Sequence, residues 1–192
     1  MKKKIPNILT LFRLLLVPLF FIILISDNKN AYFISLLIFS IASITDFFDG
    51  RLARKYDAVS KFGLFMDPIA DKALAISAFF GFLYIDVLVN VVEPWMVFLI
   101  FFRDILVTFL RLIMNRNGIL MITSKIAKLK TTSQLVSIII ILLSLIYSSI
   151  YPLDKYILLI RFTMISVTIF TIYTGLDYYY RNIKLLISNK WA

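Results

Sequence analysis

The chain is built from long apolar runs broken by short polar stretches. Six runs, at 6–26, 31–55, 60–85, 94–114, 124–149 and 153–180, are divided by breaks such as SDNKN, IDVLVNVVE, NRNG and YPLD. Each run has the length of about 20 residues that an α-helix needs to cross the hydrocarbon of a bilayer. The pattern predicts an all-α, polytopic membrane protein of six transmembrane helices. Pro6 suits the first turn of span 1, Pro18 is expected to bend it, and Pro68 falls within span 3. With no internal repeat and no low-complexity linker, residues 1–192 read as a single transmembrane domain.

Charge adds an orientation. Lys2, Lys3 and Lys4, then Arg51, Arg54, Lys55 and Lys61, then Arg111, Arg116, Lys125, Lys128 and Lys130, and last Arg181, Lys184 and Lys190 all fall on one side of the six spans. The other side has little beyond Lys29, Lys155 and Arg161. Short loops rich in Lys and Arg stay in the cytoplasm, so both termini are expected there. The basic start MKKKIPN has no small-residue cleavage site after it, which predicts a retained first span.

Composition agrees and excludes. The chain is 61% hydrophobic and 17% charged, with a mean hydropathy of +0.91. A soluble fold would leave too much of this apolar surface in water. The net charge of +10 suits an anionic membrane surface or anionic substrates. It does not suit nucleic acid, because the basic residues are scattered among the spans. The chain has no Cys and no His. That excludes disulfides, thiol nucleophiles, Cys/His zinc sites and imidazole bases. A general base is then a carboxylate or, less readily, Lys or Tyr.

Against that background one stretch stands out: DFFDGRLARKYDAVSKFGLFMDPIAD, residues 46–71. Asp46, Asp49, Gly50 and Ala53 are spaced i, i+3, i+4, i+7 and share a face of span 2. Gly63, Asp67 and Asp71 are spaced i, i+4, i+8 and share a face of span 3. A hairpin turning at Tyr56 to Lys61 brings the two faces together, and Gly50, Ala53 and Gly63 permit close helix approach. Four carboxylates in one small volume repel one another. Divalent cations remove the conflict, since hard ions take carboxylate oxygens and substrate phosphate oxygens. Two metals bridged by shared acids recur in displacement at phosphorus. Salt bridges to Arg51, Arg54, Lys61 and Lys72 are the purely structural alternative, and four acids on two matched faces weigh against it.

A second polar set lies in spans 4 and 5. FFRDILVTFLR places Arg103 and Asp104 at mid-membrane depth, with Asp104, Thr108 and Arg111 on one face. SKIAKLKTTSQ opens span 5 and sets Lys128 and Lys130 near the level of the aspartates. Arg111, Lys128 and Lys130 together suit a phosphate dianion, whereas Lys125 reads as a lysine snorkelling to the headgroups.

The series D-x-x-D-G-x-x-A-R, eight residues, then G-x-x-x-D-x-x-x-D resembles the signature of the CDP-alcohol phosphatidyltransferases. Asp46, Asp49, Gly50, Ala53, Arg54, Gly63, Asp67 and Asp71 fill every position. The resemblance implies a six-span fold and transfer of a phosphatidyl or related group from a CDP-linked donor to an alcohol, with release of CMP. It implies two divalent cations, Mg²⁺ or Mn²⁺: Asp46, Asp49 and Asp67 around one, and Asp46, Asp67 and Asp71 around the other. Asp71 is implied as the general base. Gly50, Arg54 and Ser60 match positions that contact CDP. Asn7 and Thr10 lie in a matching N-terminal element and are implied at the cytidine; ordinary helix-start chemistry is the simpler reading of both.

IPNILTLFR, RDILVTFLR and KLKTTSQ are similar to the bacterial members whose donor is CDP-diacylglycerol and whose acceptor is glycerol 3-phosphate, over roughly residues 5 to 135. Those members usually have Glu where this chain has Asp104, and Gly where it has Ala127. A homodimer is implied as well, and so is a place in the inner (cytoplasmic) membrane of a bacterium. Phosphatidylglycerol as acceptor, as in a cardiolipin synthase, is the nearest rival. Other classes are a cation transporter using the aspartates, which gains nothing from Arg54 and Lys128, and a membrane scaffold, which needs no four acids.

Overall fold

The computed structural model describes the backbone of residues 5–26, 28, 30–55, 61–117, 125–148 and 154–189. Side chains are described for most of these, but not for 5–8, 46–55, 61–71, 115, 125–128, 154–155, 184 or 186–189. Six α-helices account for nearly all of the described chain: α1 (Ile5–Leu24), α2 (Ala31–Lys55), α3 (Lys61–Phe82), α4 (Pro94–Arg116), α5 (Lys125–Ser148) and α6 (Asp154–Asn189). There is no strand among the described residues. The six apolar runs thus become six helices, most with ends within three residues of expectation.

The ends follow local chemistry. Between α1 and α2, the Asn28 side-chain Oδ1 accepts a hydrogen bond from the Asn30 backbone N–H at 3.0 Å, and the Asn28 backbone carbonyl accepts one from the Ala31 N–H at 2.9 Å. This Asx-type turn reverses the chain and starts α2. Pro94 opens α4 at the position where a missing N–H costs nothing. The helix that departs from expectation is α6, which continues nine residues past Tyr180. No Gly or Pro stops it, and Arg181 Nε donates to Asp177 Oδ1 at 2.7 Å one turn away, which supports the extension.

The segment between α3 and α4 also differs from the plain loop expected. It forms a short 3₁₀ turn, Asp86–Leu88, with Asn90 in the left-handed region (φ 68°) that asparagine tolerates. Ile85, Leu88, Val91 and Val92 are buried. The apolar residues of IDVLVNVVE fold inward and close one end of the bundle, because exposing four branched side chains at a membrane end would waste their packing.

α1 packs against both α2 and α3, α5 against α6, α4 against α6, and α2 against α5; α2 and α3 also touch. The buried face of α1 carries Thr10, Arg13, Phe20 and Leu24, a helical stripe. Phe20 meets Phe39 of α2 with ring centroids 5.8 Å apart. Leu24 lies so close to Gly81 of α3 that an added Cβ would fall 2.5 Å from its Cδ2. The main core gathers Phe20, Phe39, Phe79, Phe82, Ile141 and Ile160 with the 85–92 plug. It sits at the end of the bundle away from the aspartate series.

Outward faces are apolar too. Leu15, Ile22, Phe109, Phe162 and Ile169 are all more than 60% exposed. Among the described residues two helical segments, Leu129–Ser148 and Tyr156–Ile183, are long and apolar enough to cross a membrane on their own. Helices of this length, with apolar side chains both inside and outside the bundle, are those of a membrane protein.

Candidate active site

Asp46 and Asp49 lie in the second half of α2 and Asp67 and Asp71 in the first half of α3. Both helices are unbroken through these positions, so each pair stands one turn apart on its helix. Their side chains, with those of Asn7, Gly50, Arg54 and Lys128, lie outside the described residues, as does Ser60 entirely. Among the described residues no three metal-ligating groups come together elsewhere. Four carboxylates supplied in pairs by two touching helices have the hard-oxygen chemistry that Mg²⁺ or Mn²⁺ takes.

Thr10 is 1% exposed, as is Arg13 one turn later. Arg13 had no assigned role in the sequence reading. The signal was available: Arg13, Phe20 and Leu24 are spaced i, i+7, i+11, so a guanidinium stands in the stripe that α1 turns toward α2 and α3. A cation buried there needs acceptors nearby.

The part of the α4 and α5 polar set around Asp104 and Lys130 is described in full. Asp104 is buried in the middle of α4. Lys130 Nζ of α5 donates to both its carboxylate oxygens, at 2.7 and 2.6 Å. Arg103 Nη1 donates to Oδ1 at 3.1 Å, and Arg103 Nη2 reaches across to Thr174 Oγ1 of α6 at 3.2 Å. The Thr108 hydroxyl donates to the Asp104 carbonyl at 2.7 Å and accepts a hydrogen bond from Lys72 Nζ of α3. One network therefore ties α3, α4, α5 and α6. Gly175 makes it possible: a Cβ there would lie 2.6 Å from Arg103 Cγ and 3.0 Å from its Nε. The guanidinium stem rests directly on the α6 backbone.

Of the expected trio Arg111, Lys128 and Lys130, Lys130 is buried against Asp104 and Arg111, about two turns further along α4 than Asp104, is exposed, while the side chain of Lys128 lies outside the described residues. The face through Asp104, Thr108 and Arg111 exists, and Lys130 of α5 reaches its first part.

The CDP-alcohol phosphatidyltransferase family model matches residues 3–174, and the chain belongs to that family. Individual relatives agree. A CDP-diacylglycerol–glycerol-3-phosphate 3-phosphatidyltransferase from Cereibacter sphaeroides is 40% identical over 147 residues, covering 74% of this chain and 65% of that protein, a little under two thirds of its length. One of the same name from Bacillus subtilis is 35% identical over 150 residues, 72% of this chain and 76% of that protein. A probable phosphatidylglycerophosphate synthase from Mycobacterium tuberculosis is 39% identical over 182 residues, 93% of this chain and 81% of that protein.

Proposed function

We propose that this chain transfers the phosphatidyl group of CDP-diacylglycerol to the sn-1 hydroxyl of glycerol 3-phosphate, giving phosphatidylglycerophosphate and CMP. The observation that carries the reading is the complete aspartate series, Asp46 to Asp71, on two unbroken helices inside the family match. The names of the relatives support the choice of donor and acceptor.

Asp46, Asp49 and Asp67 would hold one divalent cation, and Asp46, Asp67 and Asp71 a second; Mg²⁺ or Mn²⁺ held there would supply positive charge to offset that of the pyrophosphate and of departing CMP. Asp71 takes the proton of the attacking hydroxyl. The hydroxyl oxygen bonds to the phosphorus that bears diacylglycerol, and the bond from that phosphorus to CMP breaks. An aspartate is a weak base for an alcohol, so positioning supplies much of the rate. Gly50, Arg54 and Ser60, with Asn7 and Thr10 of α1, seat the CDP group. Gly50 leaves room for the nucleotide against the backbone, and Arg54 forks onto phosphate. Arg111, Lys128 and Lys130 receive the acceptor's phosphate.

The protein spans the inner membrane six times, with both termini and the site on the cytoplasmic side, and works as a homodimer. Lipid tails lie in the bilayer while the nucleotide occupies a wet polar cavity, which is where membrane acids survive. The test is CMP release by the purified protein given CDP-diacylglycerol and Mg²⁺ or Mn²⁺, with glycerol 3-phosphate, phosphatidylglycerol, serine or inositol phosphate in separate reactions. Release with glycerol 3-phosphate alone, abolished by chelator and restored by metal, is expected. Release only with another acceptor overturns the acceptor, and no release with any overturns the enzyme.

A further inference from the structure

Three charges meet at mid-depth between α4 and α5, and folding gives them little reason to be there. A buried ion pair is often matched or bettered in stability by apolar residues of the same volume. Here two cations surround one anion. Lys130 has three N–H donors and gives two to Asp104. Arg103 gives one N–H to Asp104 and one to Thr174, and its Nε is buried with no partner among the described residues. Donors and one positive charge are left over around a single carboxylate. The surplus suits an anion rich in acceptor oxygens, and a phosphate monoester is such a group.

We propose that Asp104 is a positioning residue for the acceptor: it fixes Lys130 and Arg103 so that their remaining donors meet the acceptor's phosphate. This rests on the proposed transfer to a phosphate-bearing alcohol and adds Asp104 and Arg103 to the residues that serve it. Asp104 touches no substrate itself. Lys130 is a flexible point charge on a four-carbon stem; grasped by both oxygens of one carboxylate, it has a single place to be. Arg103 is held by Asp104 on one arm, Thr174 on the other and Gly175 beneath. Thr108 and Lys72 join this clamp to α3, one residue past Asp71. The acceptor's phosphate is thereby set at a fixed place relative to the aspartate helix.

The experiment compares the full chain with Asp104→Asn, Asp104→Glu, Lys130→Met and the double variant Asp104→Asn/Lys130→Met. Two readings are taken. One is CMP release against glycerol 3-phosphate and CDP-diacylglycerol concentration. The other, made without donor, is the rise in melting temperature caused by glycerol 3-phosphate. Asp104→Asn is expected to raise KM for glycerol 3-phosphate about tenfold or more, with KM for CDP-diacylglycerol changed less than about twofold. Asp104→Glu is expected to restore the acceptor KM to within about threefold, and the double variant to fall well short of the product of the two single effects, since part of what Asp104 does is done through Lys130. The melting shift should shrink in the same order.

A lower kcat with unchanged acceptor KM, or effects of Asp104→Asn and Lys130→Met that multiply, would overturn the proposal. If wild-type protein turns over only with another acceptor, the proposed transfer fails separately. The same variants are then compared on that acceptor, and an unmoved KM overturns the clamp. Should Asp104→Asn not accumulate, Thr174→Val loosens Arg103 alone. It is expected to raise the acceptor KM about two- to fivefold, and a lowered melting temperature with unchanged KM counts against the proposal.

Discussion

The two ends of this bundle solve opposite problems. At one end Phe20, Phe39, Phe79 and Phe82, each essentially buried, pack with Ile85, Leu88, Val91 and Val92 of the 85–92 plug. At the other, the interior holds Thr10, Arg13, Asp104, Lys130, Gln134 and Asn182, equally buried. In a bilayer the first arrangement gains little from escaping water, because lipid tails are as apolar as the phenylalanines; it is held by close packing. The second is held by charge and hydrogen bonds and gains from low dielectric only while each group stays partnered. Even the threonines follow this rule. Thr168 and Thr174 donate to carbonyls of their own helix, and Gln134 Nε2 reaches Thr171 Oγ1 at 3.4 Å. The apolar end provides rigidity, and the polar end spends it on holding charges where solvent would otherwise take them.

That division can be broken deliberately. The largest expected effect is at the aspartates: Asp71→Asn should lower CMP release by about 10²–10⁴-fold while the melting temperature stays close to wild type. A parallel fall in melting temperature would mean that the acid is structural. In the apolar end, Phe82→Ala should do the reverse. It removes a fully buried ring, should cost about 3–5 kcal/mol of stability in denaturant unfolding, and should leave turnover per folded molecule nearly unchanged. A comparable loss of turnover would mean that the two ends are mechanically coupled.

Smaller changes sharpen the picture. Gly175→Ala puts a methyl group against the Arg103 stem. It should cost about 1–3 kcal/mol and raise the acceptor KM, since the clamp must shift. Gly81→Ala, with the same crowding against Leu24, should cost stability in the same range and leave that KM alone. The smallest effect is expected at the α6 tail. Arg181→Gln removes a half-exposed pair to Asp177, and its effect should fall below about 1 kcal/mol in the same unfolding measurement.

Much of this was legible in the sequence, for reasons that differ by feature. The helices were, because apolar runs of membrane length leave a chain few options. The pairing of the aspartates along each helix was, because spacing alone puts Asp46 with Asp49 and Asp67 with Asp71 one turn apart. The partner of Lys130 was not. Spacing placed Asp104 with Thr108 and Arg111 along α4, which is true of α4 by itself. Whether α5 covers the near or the far part of that face depends on how the two helices rotate against each other, and no single-helix periodicity contains that. Arg13 was missed because a lone arginine near a basic start reads as a membrane-surface residue, although its register with Phe20 pointed inward. The 85–92 plug was read as a loop because its flanking Asp86, Asn90 and Glu93 dominate the eye. Its four buried branched residues are what decide its fold.

The length of α6 has a practical consequence. At 36 residues it is about 54 Å long, against a hydrocarbon core of about 30 Å. Crossing such a core, it would leave roughly 24 Å of continuous helix clear of the hydrocarbon when upright and still about 15 Å at a tilt of about 40°. A rigid reporter domain joined in helical register after Asn189 would inherit that direction. It would serve both as an alignment marker for electron microscopy of an otherwise featureless small membrane protein and as a label reporting which compartment that end of the helix reaches.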